Sequence, residues 1–315
     1  MKIRLLDLLV DDHFISGEKL ASNLGVTRTA VWKQIDYLRN LGYKIDSSKN
    51  KGYRLVSRPD ILIPEEIKNG LDLNVIGNEI HYFKEINSTN LYAKQLAQES
   101  VCEGTVVVAD IQISGRGRKD RNWSSPFGGL WLSIVLYPKL PPERGMLVTM
   151  TASVAVAQAI NEITGLNPKI KWPNDILLNK KKVCGVLTEI EAEMDRINYS
   201  IIGIGINVNN EIEEDLQGIA ISLKSIVGVQ ISRVKLLQSM LKHLDENYVK
   251  LVSKDYSSIR NFWFSYANII GKKIQVDYEN EDILGVVIDV DESGCLILKT
   301  DKDQVRIVSG DITFL

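Results

Sequence analysis

"DILLNKKKVCGVLTEI", residues 175–190, decides the fold. Two apolar runs flank a polar, lysine-rich turn at Asn179–Lys181, the pattern of a β-hairpin. Hairpin partners are antiparallel, whereas a doubly wound sheet needs a long crossover between parallel strands. Working outward, further strands are expected at "TVVVAD" (105–110), "GGLWLSIVLYP" (128–138), "PKIKW" (168–172) and "YSIIGIGINV" (199–208). Helices are expected at "STNLYAKQLAQES" (88–100) and "ERGMLVTMTASVAVAQAINEIT" (143–164). The fold class is therefore α+β: a mixed, largely antiparallel sheet with helices packed on it.

A length of 315 residues allows two or three domains, and 44% hydrophobic with 25% charged residues supports a sizeable core. The net charge of −2 is unevenly spread: eleven Lys/Arg against six Asp/Glu give residues 1–58 a net +5, leaving −7 on the rest. Such asymmetry points to a polyanion partner for the first segment. Cys102, Cys184 and Cys295 lie far apart with no CxxC, which argues against a disulfide framework or zinc site and fits a reducing cytoplasm. His13, His81 and His243 are equally scattered, so His-based catalysis is set aside. "MKIRLLDLLV" is too short for a signal peptide and is broken by Asp7, and "GMLVTMTASVAVAQAI" (145–160) reads as a buried helix. A soluble, cytoplasmic protein with no membrane partner is expected.

"SGEKLASNLGVTRTAVWKQIDYLRNLGYKI" (16–45) carries two helical patterns around a tight turn. Ser16 opens the first, Leu20 and Leu24 face inward, and Gly25 stops it; Thr27 then caps a second helix with the stripe Val31, Ile35, Leu38 and Leu41. Arg28, Thr29, Trp32 and Lys33 stay outside that stripe, where a helix-turn-helix reaches the major groove. "YKIDSSKNKGYRL" (43–55) follows as a hairpin with Lys49 and Lys51 at its tip, the wing of a winged helix. A helical bundle docking a protein, or a solvated charged face, are the alternatives; turn, cap, basic wing and local charge agree on DNA. Arg28 and Lys33 suit phosphates, Thr29 and Trp32 base edges. Pro59 and Pro64 in "SRPDILIPEEI" (57–67) mark a linker near 58–65.

Three polar strings interrupt the apolar strands of the middle. "QISGRGRKDRNW" (112–123) offers Arg116 and Arg118 as planar forks for carboxylate or phosphate, between glycines that admit close backbone approach. "KWPNDILLNKKKVCG" (171–185) sets Lys171 and Asp175 about a proline and puts Lys182 at the start of the returning strand. "GIGINVN" (203–209) thins a strand at Gly203 and Gly205 and supplies the amides of Asn207 and Asn209. Singly, each has a bland reading as close packing or a solvated turn. Together they suit nucleotidyl transfer to a carboxylate, where an attacking anion and an α-phosphate repel until cations screen them. Arginine forks, a lysine and an acid able to hold Mg²⁺ form that set.

"STN" (88–90), "GRGR....W" (115–123), "KWPND" (171–175), "K.CG" (182–185) and "GIGINVN", in this order, closely resemble the bifunctional biotin–protein ligase/biotin operon repressor family, over essentially the whole chain. The resemblance implies a winged helix-turn-helix at 1–60, a class II synthetase-like ligase domain at 61–268, and a small SH3-like β-barrel at 269–315. It implies ATP and Mg²⁺ as cofactors and biotin as substrate, with biotinoyl-5′-AMP formed and biotin then passed to a lysine of the acetyl-CoA carboxylase carrier protein. It further implies operator DNA and, when adenylate is bound, a second copy of the chain as partners.

Carried onto this sequence, the resemblance assigns biotin contacts to Ser88, Thr89, Asn90, Gln112, Arg116, Gly117, Arg118 and Lys182, with Lys182, Arg116, Arg118 and Asp175 as catalytic groups. Nucleotide contacts fall to Gly115, Arg118, Trp123, Lys171, Asn174, Asp175 and Asn207, and Mg²⁺, through the nucleotide, to Asp175. Trp131, Tyr137 and Ile206 are expected as pocket walls. Lys119–Asp120 departs from the family's usual basic residue and glycine, lowering the loop's charge and flexibility. "NNEIEEDLQGIAISL" (209–223), without an aromatic, is expected to order over adenine when nucleotide is present. "RVKLLQSMLKHLDENYVKLV" (233–252) reads as an amphipathic helix burying Leu236, Met240, Leu244 and Val249, and short strands with acidic turns follow from Gly271. A DNA-binding sensor without catalysis, and a lipoate-type ligase, are the competing readings.

The wing generates a first test. Replacing Lys49 and Lys51 by Ala is expected to weaken DNA binding about equally across sequences and to lower the magnitude of the salt slope by roughly 2. Titrations at several salt concentrations check this, and an unchanged slope would remove the wing from the interface.

Overall fold

The computed structural model describes residues 3–9, 13–278 and 281–315, which form two compact units, Met1–Ile61 and Leu62–Leu315. Lys2, Asp11 and Asp12 of the charge count, and Glu279 and Asn280 within the segment of short strands and acidic turns expected from Gly271, lie outside the described residues.

The first unit contains α1 (Ile3–Leu8), α2 (Gly17–Leu24), α3 (Arg28–Asn40), β1 (Lys44–Ser48) and β2 (Gly52–Ser57). Its boundaries follow local chemistry. Ser16 Oγ accepts from Lys19 N at 3.1 Å, Thr27 Oγ1 from Ala30 N at 3.2 Å, and Gly25 ends α2 at φ 64. Val31, Ile35 and Leu38 are buried as expected, while Leu41 caps the helix half-buried. β1 and β2 pair antiparallel, with Lys49 and Lys51 in the turn between them.

The second unit continues with α4 (Pro64–Lys68), β3 (Ile80–Ile86), α5 (Thr89–Gln98), β4 (Val106–Gln112), β5 (Leu130–Leu136), α6 (Gly145–Thr164), β6 (Lys169–Lys171), β7 (Asp175–Leu178), β8 (Lys181–Ala192) and β9 (Ile197–Ile206). The seven strands run in the order β3-β4-β5-β9-β8-β7-β6, antiparallel throughout except for the parallel β3–β4 pair. The hairpin at 175–190 turns at Asn179 and Lys180, both left-handed (φ 50 and 63), the geometry a two-residue turn requires. Both faces of the sheet are covered. Val107, Val135 and Ile201 pack with Ala93, Leu96 and Ala97 of α5; their neighbours Val106, Val108, Ile134 and Ile202 point the other way, into the core containing α6. This two-sided burial makes the strands read as unbroken apolar runs.

β3 was not expected. Only partly buried, the edge strand "IHYFKEI" lacks both the apolar run and the alternation that mark the others. After β9 come α7 (Leu223–Val227), α8 (Arg233–Val252) and α9 (Tyr256–Ala267). α6 is long and apolar enough to cross a membrane, yet its apolar stretch is mostly buried against the sheet and α8. Along α8 Leu236, Met240 and Leu244 are fully buried, but Val249 is 39% exposed and belongs to the outer face. β10 (Lys273–Tyr278), β11 (Glu281–Val290), β12 (Leu296–Lys299), β13 (Gln304–Ile307) and β14 (Asp311–Phe314) then form an antiparallel five-stranded SH3-like sheet, order β13-β12-β11-β10-β14. Trp172 Nε1 donates to Gly294 O at 3.1 Å, fixing this sheet beside the β6–β7 turn.

Asp245 on α8 ties down the segment before β3. Its carboxylate accepts from the backbone N–H of Asn74, Val75 and Ile76 at 2.8–2.9 Å and from Asn74 Nδ2 at 2.9 Å. Burial opposes its ionisation, but these donors outweigh burial and hold the carboxyl below its ordinary range. Its contribution is therefore complete at neutral pH and is lost only as pH falls through that lowered value. Asp245→Ala strands several N–H groups and is expected to reduce stability by about 3 kcal/mol, read from urea melts.

Candidate functional site

In the first unit, Arg28, Thr29, Trp32 and Lys49 line one concave surface between α3 and the wing, together with Ser47 and Ser48. Lys33 and Lys51 are exposed but do not line it. Trp32 is 54% exposed on a helix whose other face is core, which fits a side chain kept for a partner.

In the second unit the loops of β4–β5, β6–β7 and β9–α7 converge on a cavity of about 570 Å³, a volume suited to a small-molecule ligand. Ser88, Thr89, Asn90, Gln112, Arg116, Gly117, Arg118, Trp123, Lys171, Asn174, Asp175, Lys182 and Asn207 all line it. Gly115 does not. It is buried where the loop pinches shut: Trp123 N donates to Gly115 O at 2.9 Å, and a Cβ on Gly115 would lie 2.2 Å from Trp123 O.

At one end lies the N-terminus of α5. Ser88 caps it by position without a side-chain bond to the helix; the Thr89 N–H instead donates to Gln112 Oε1 at 2.8 Å. Gln112 Nε2 donates to Ser125 Oγ at 2.9 Å, so the amide is held from both sides. At the other end, Lys182 Nζ lies 2.7 Å from Asp175 Oδ1 and 4.9 Å from the Trp123 ring centroid. Arg118 reaches in between: Nη1 donates to Asn174 Oδ1 at 3.0 Å, and Asp311 Oδ1 is 3.7 Å away. Burial lowers the Arg118 pKa from its ordinary value, against the pull of Asp311 and Asp175, and the guanidinium remains a fixed cation. Neighbouring Cys184 is fully buried and its thiol pKa is driven far up by desolvation, so it is no nucleophile.

The glycines of "GIGINVN" have a steric cause. A Cβ on Gly203 would lie 2.1 Å from Asn90 Oδ1, and one on Gly205 2.4 Å from Trp123 Nε1. Gly185 stands opposite Gly205 in the β8–β9 register, and its Cβ would lie 3.1 Å from the same indole. Trp123 thus lies in a slot cut by paired glycines. Its buried indole N–H has no hydrogen-bond partner among the described residues, leaving a donor in the cavity.

Some expectations fail. Trp131 and Ile206 are fully buried and do not line the cavity, and Tyr137 packs with the α5 cluster; the apolar lining instead includes Leu177, Leu187, Ile212, Leu216 and Ile219, with the core residues Leu132 and Ile204 at its edge. Asn209 turns away, exchanging hydrogen bonds with the backbone of Ile231, while Asn210 lines the cavity and donates to Asn207 Oδ1 at 3.0 Å. Residues 209–223 include a short 3₁₀ turn at Glu214–Leu216 and line the cavity along much of their length, Ile212, Glu213, Leu216, Ile219 and Ala220 among them. Asp311, Ser124 and Glu213 went unrecognised because two come from remote segments and none carries a motif.

A cavity with fixed cations at one end and a neutral hydrogen-bonding ring at the other is that of a ligase that activates a carboxylic acid. Residues 82–207 match the biotin/lipoate A/B protein ligase family, 2–54 an HTH domain and 269–315 the biotin protein ligase C-terminal domain. The bifunctional ligase/repressor BirA of Bacillus subtilis is 41% identical over 96% of this chain and 94% of its own length. The biotin–[acetyl-CoA-carboxylase] ligase of Paracoccus denitrificans is 28% identical over 72% and 97%. The Aquifex aeolicus biotin protein ligase, solved in complex with biotin and ATP, superposes with a TM-score of 0.65 at 31% identity over 76% of this chain and 99% of its own. The chain belongs to the biotin protein ligases of the bifunctional ligase/repressor type.

Gly205→Ala is expected to drive Trp123 from its slot and free the loop it anchors. Trypsin should then cut at Arg116, Arg118, Lys119 or Arg121 about tenfold faster, the effect of losing roughly 1.4 kcal/mol of local protection. Unchanged cutting would show that Trp123 does not anchor the loop.

Proposed function

We propose that this chain joins biotin to ATP as biotinoyl-5′-AMP and transfers biotin to one lysine of the acetyl-CoA carboxylase carrier protein. The arrangement that carries the reading is the Lys182, Arg116 and Arg118 set facing the Ser88, Thr89, Asn90 and Gln112 ring across one cavity. Biotin is an apolar bicycle with a polar urea and a distal carboxylate. The urea suits the amide and hydroxyl ring, the bicycle suits the apolar lining around Leu187, and the carboxylate suits the cations.

In the first step a carboxylate oxygen attacks the α-phosphorus and the bond to pyrophosphate breaks. Lys182 and Arg118 screen the two anions and neutralise the charge that builds on the phosphoryl oxygens. Mg²⁺, held through Asp175 with the nucleotide, would add charge neutralisation at the departing pyrophosphate. Lys171, Asn174 and Asn207 line the nucleotide end, and Arg116, Gly117 and Trp123 close the loop over the mixed anhydride and exclude water. In the second step a lysine amine of the acceptor attacks the acyl carbon and AMP leaves. Asp175, 2.7 Å from Lys182, is suited to receive the incoming ammonium as well.

The first unit supplies the second activity: repression of biotin genes, with the adenylate as corepressor and Arg28, Thr29, Trp32, Lys33, Lys49 and Lys51 on operator DNA. Dimerisation of the adenylate-bound chain, cytoplasmic location, and the division at 1–60, 61–268 and 269–315 belong to the same proposal.

ATP–pyrophosphate exchange tests the reading. Biotin is expected to support exchange and lipoate to fail. Lys182→Ala should reduce adenylate formation by about 10²–10³-fold with the melting curve retained. Arg118→Gly should release adenylate, labelling bystander lysines in solution; a variant that neither leaks nor slows synthesis would remove Arg118 from this role.

A further inference from the structure

Glu189 lies on β8, beyond the residues that the motifs single out, and its carboxylate faces two ways. Oε2 accepts from Asn90 Nδ2 at 2.8 Å, and Oε1 lies 3.6 Å from Arg116 Nη1. Asn90 is 5% exposed, and its Oδ1 accepts from Ser133 Oγ at 2.5 Å. Ser133 Oγ is 2.7 Å from Thr89 Oγ1, which is 3.0 Å from Gln112 Oε1. Gln112 Nε2 donates to Ser125 Oγ at 2.9 Å, and Ser125 Oγ to Trp123 O at 3.0 Å. The relay therefore begins at one side of the arginine loop, at Arg116, runs beneath the ring of groups at α5, and returns to the other side of the loop at Trp123.

A chain of amides and hydroxyls can run in either sense, because each member both donates and accepts. A carboxylate cannot; it only accepts. With Glu189 at the end, Asn90 must turn its NH₂ toward the acid and its carbonyl toward Ser133; the single Ser133 proton is then committed to Asn90, so the Thr89 hydroxyl donates to Ser133 Oγ and Gln112 Oε1 is met by the Thr89 N–H. Donors and acceptors shown to a polar ring are thereby fixed before it arrives, which lowers the cost of binding.

We propose that Glu189 is a positioning residue for the acid-binding end of the cavity: it sets the donor–acceptor sense of the Asn90–Ser133–Thr89 relay beside Gln112 and ties the Arg116 guanidinium to it, so that ring recognition and loop closure act together. This rests on the reading of the cavity as a biotin site.

The test is pyrophosphate exchange and biotin calorimetry on the full chain carrying Glu189→Gln or Glu189→Ala. Gln is isosteric and keeps an acceptor for Asn90, but it removes the ion pair and lets the relay reverse; it should raise the biotin KM about 10-fold, with kcat and the ATP KM within about twofold. Ala removes both partners and should raise the biotin KM about 50-fold, again recovering rate at saturating biotin. Wild-type biotin KM in both variants overturns the proposal. So does a fall in kcat and melting temperature with the biotin KM unchanged, the signature of packing alone. Should Ala fail to fold, the Gln variant decides. A wild-type chain giving no exchange with biotin overturns the reading of the cavity, and this role with it; normal wild-type exchange with an unaltered Gln variant overturns this role alone.

Discussion

Arg116, Arg118 and Lys182 project into one cavity, where like charges taken from water repel one another. Each is met by a carboxylate from a different part of the chain: Glu189 of β8 at 3.6 Å, Asp311 of β14 at 3.7 Å and Asp175 of β7 at 2.7 Å. At an effective dielectric of about 20, two unit charges 4 Å apart interact by roughly 4 kcal/mol. Solvent screening and desolvation cut this well down for partly exposed pairs, but what remains favours keeping the cations gathered when no anion is bound, and a phosphate or carboxylate can match it when one arrives. The site is thus charge-balanced in advance, and the balance depends on the sheet order and on the C-terminal strands rather than on any one loop.

Geometry at this density leaves little room for side chains on the sheet itself. β8 and β9 meet the cavity with Gly185, Gly203 and Gly205, and the space they release is filled by Trp123 from the loop and Asn90 from α5. Both strands are apolar on the opposite face, where Val186 of β8 and Ile202 and Ile204 of β9 join the main core. One element therefore serves two demands, a rigid packed floor below and a close-fitting polar surface above.

The hairpin at 175–190, the buried strands and the capped helices were legible because their signals are local: period, cap and turn chemistry. β3 was not, since an edge strand half exposed on both faces has no distinctive period. Val249 differs from its expected burial because an apolar residue on an amphipathic helix can sit outside the stripe, and exposure depends on what packs opposite. The cavity-lining residues recognised from the motifs came together, whereas the apolar walls did not. Chemical type points to Trp131, Tyr137 and Ile206, but Trp131 and Ile206 are fully buried and Tyr137 packs with the α5 cluster beyond the end of β5, a difference that depends on tertiary packing. Asp311, Glu213 and Glu189 enter through tertiary contacts between distant segments, which no spacing rule encodes.

The loop "GRGRKDRNW" holds four cations, yet their work divides. Arg116 and Arg118 are turned toward Glu189 and Asn174, while Lys119 and Arg121 pair at 2.8 Å with Asp277 and Asp311 of the C-terminal sheet. Burial raises the Asp311 pKa, but Arg118, Arg121 and Lys119 outweigh it and hold the carboxyl below its usual range, so the contact persists through neutral pH and weakens only on acidification. Asp120 follows from the same geometry. The backbone at Lys119 and Asp120 is left-handed, at φ 53 and 55, where glycine is at ease and Asp is among the better tolerated of other residues. Its carboxylate sits 3.4 Å from Arg116 but is almost fully exposed, so water screens most of the attraction. The departure at position 120 thus keeps the shape of the loop and leaves the inward cations to the partly buried acids Glu189, Asp311 and Asp175.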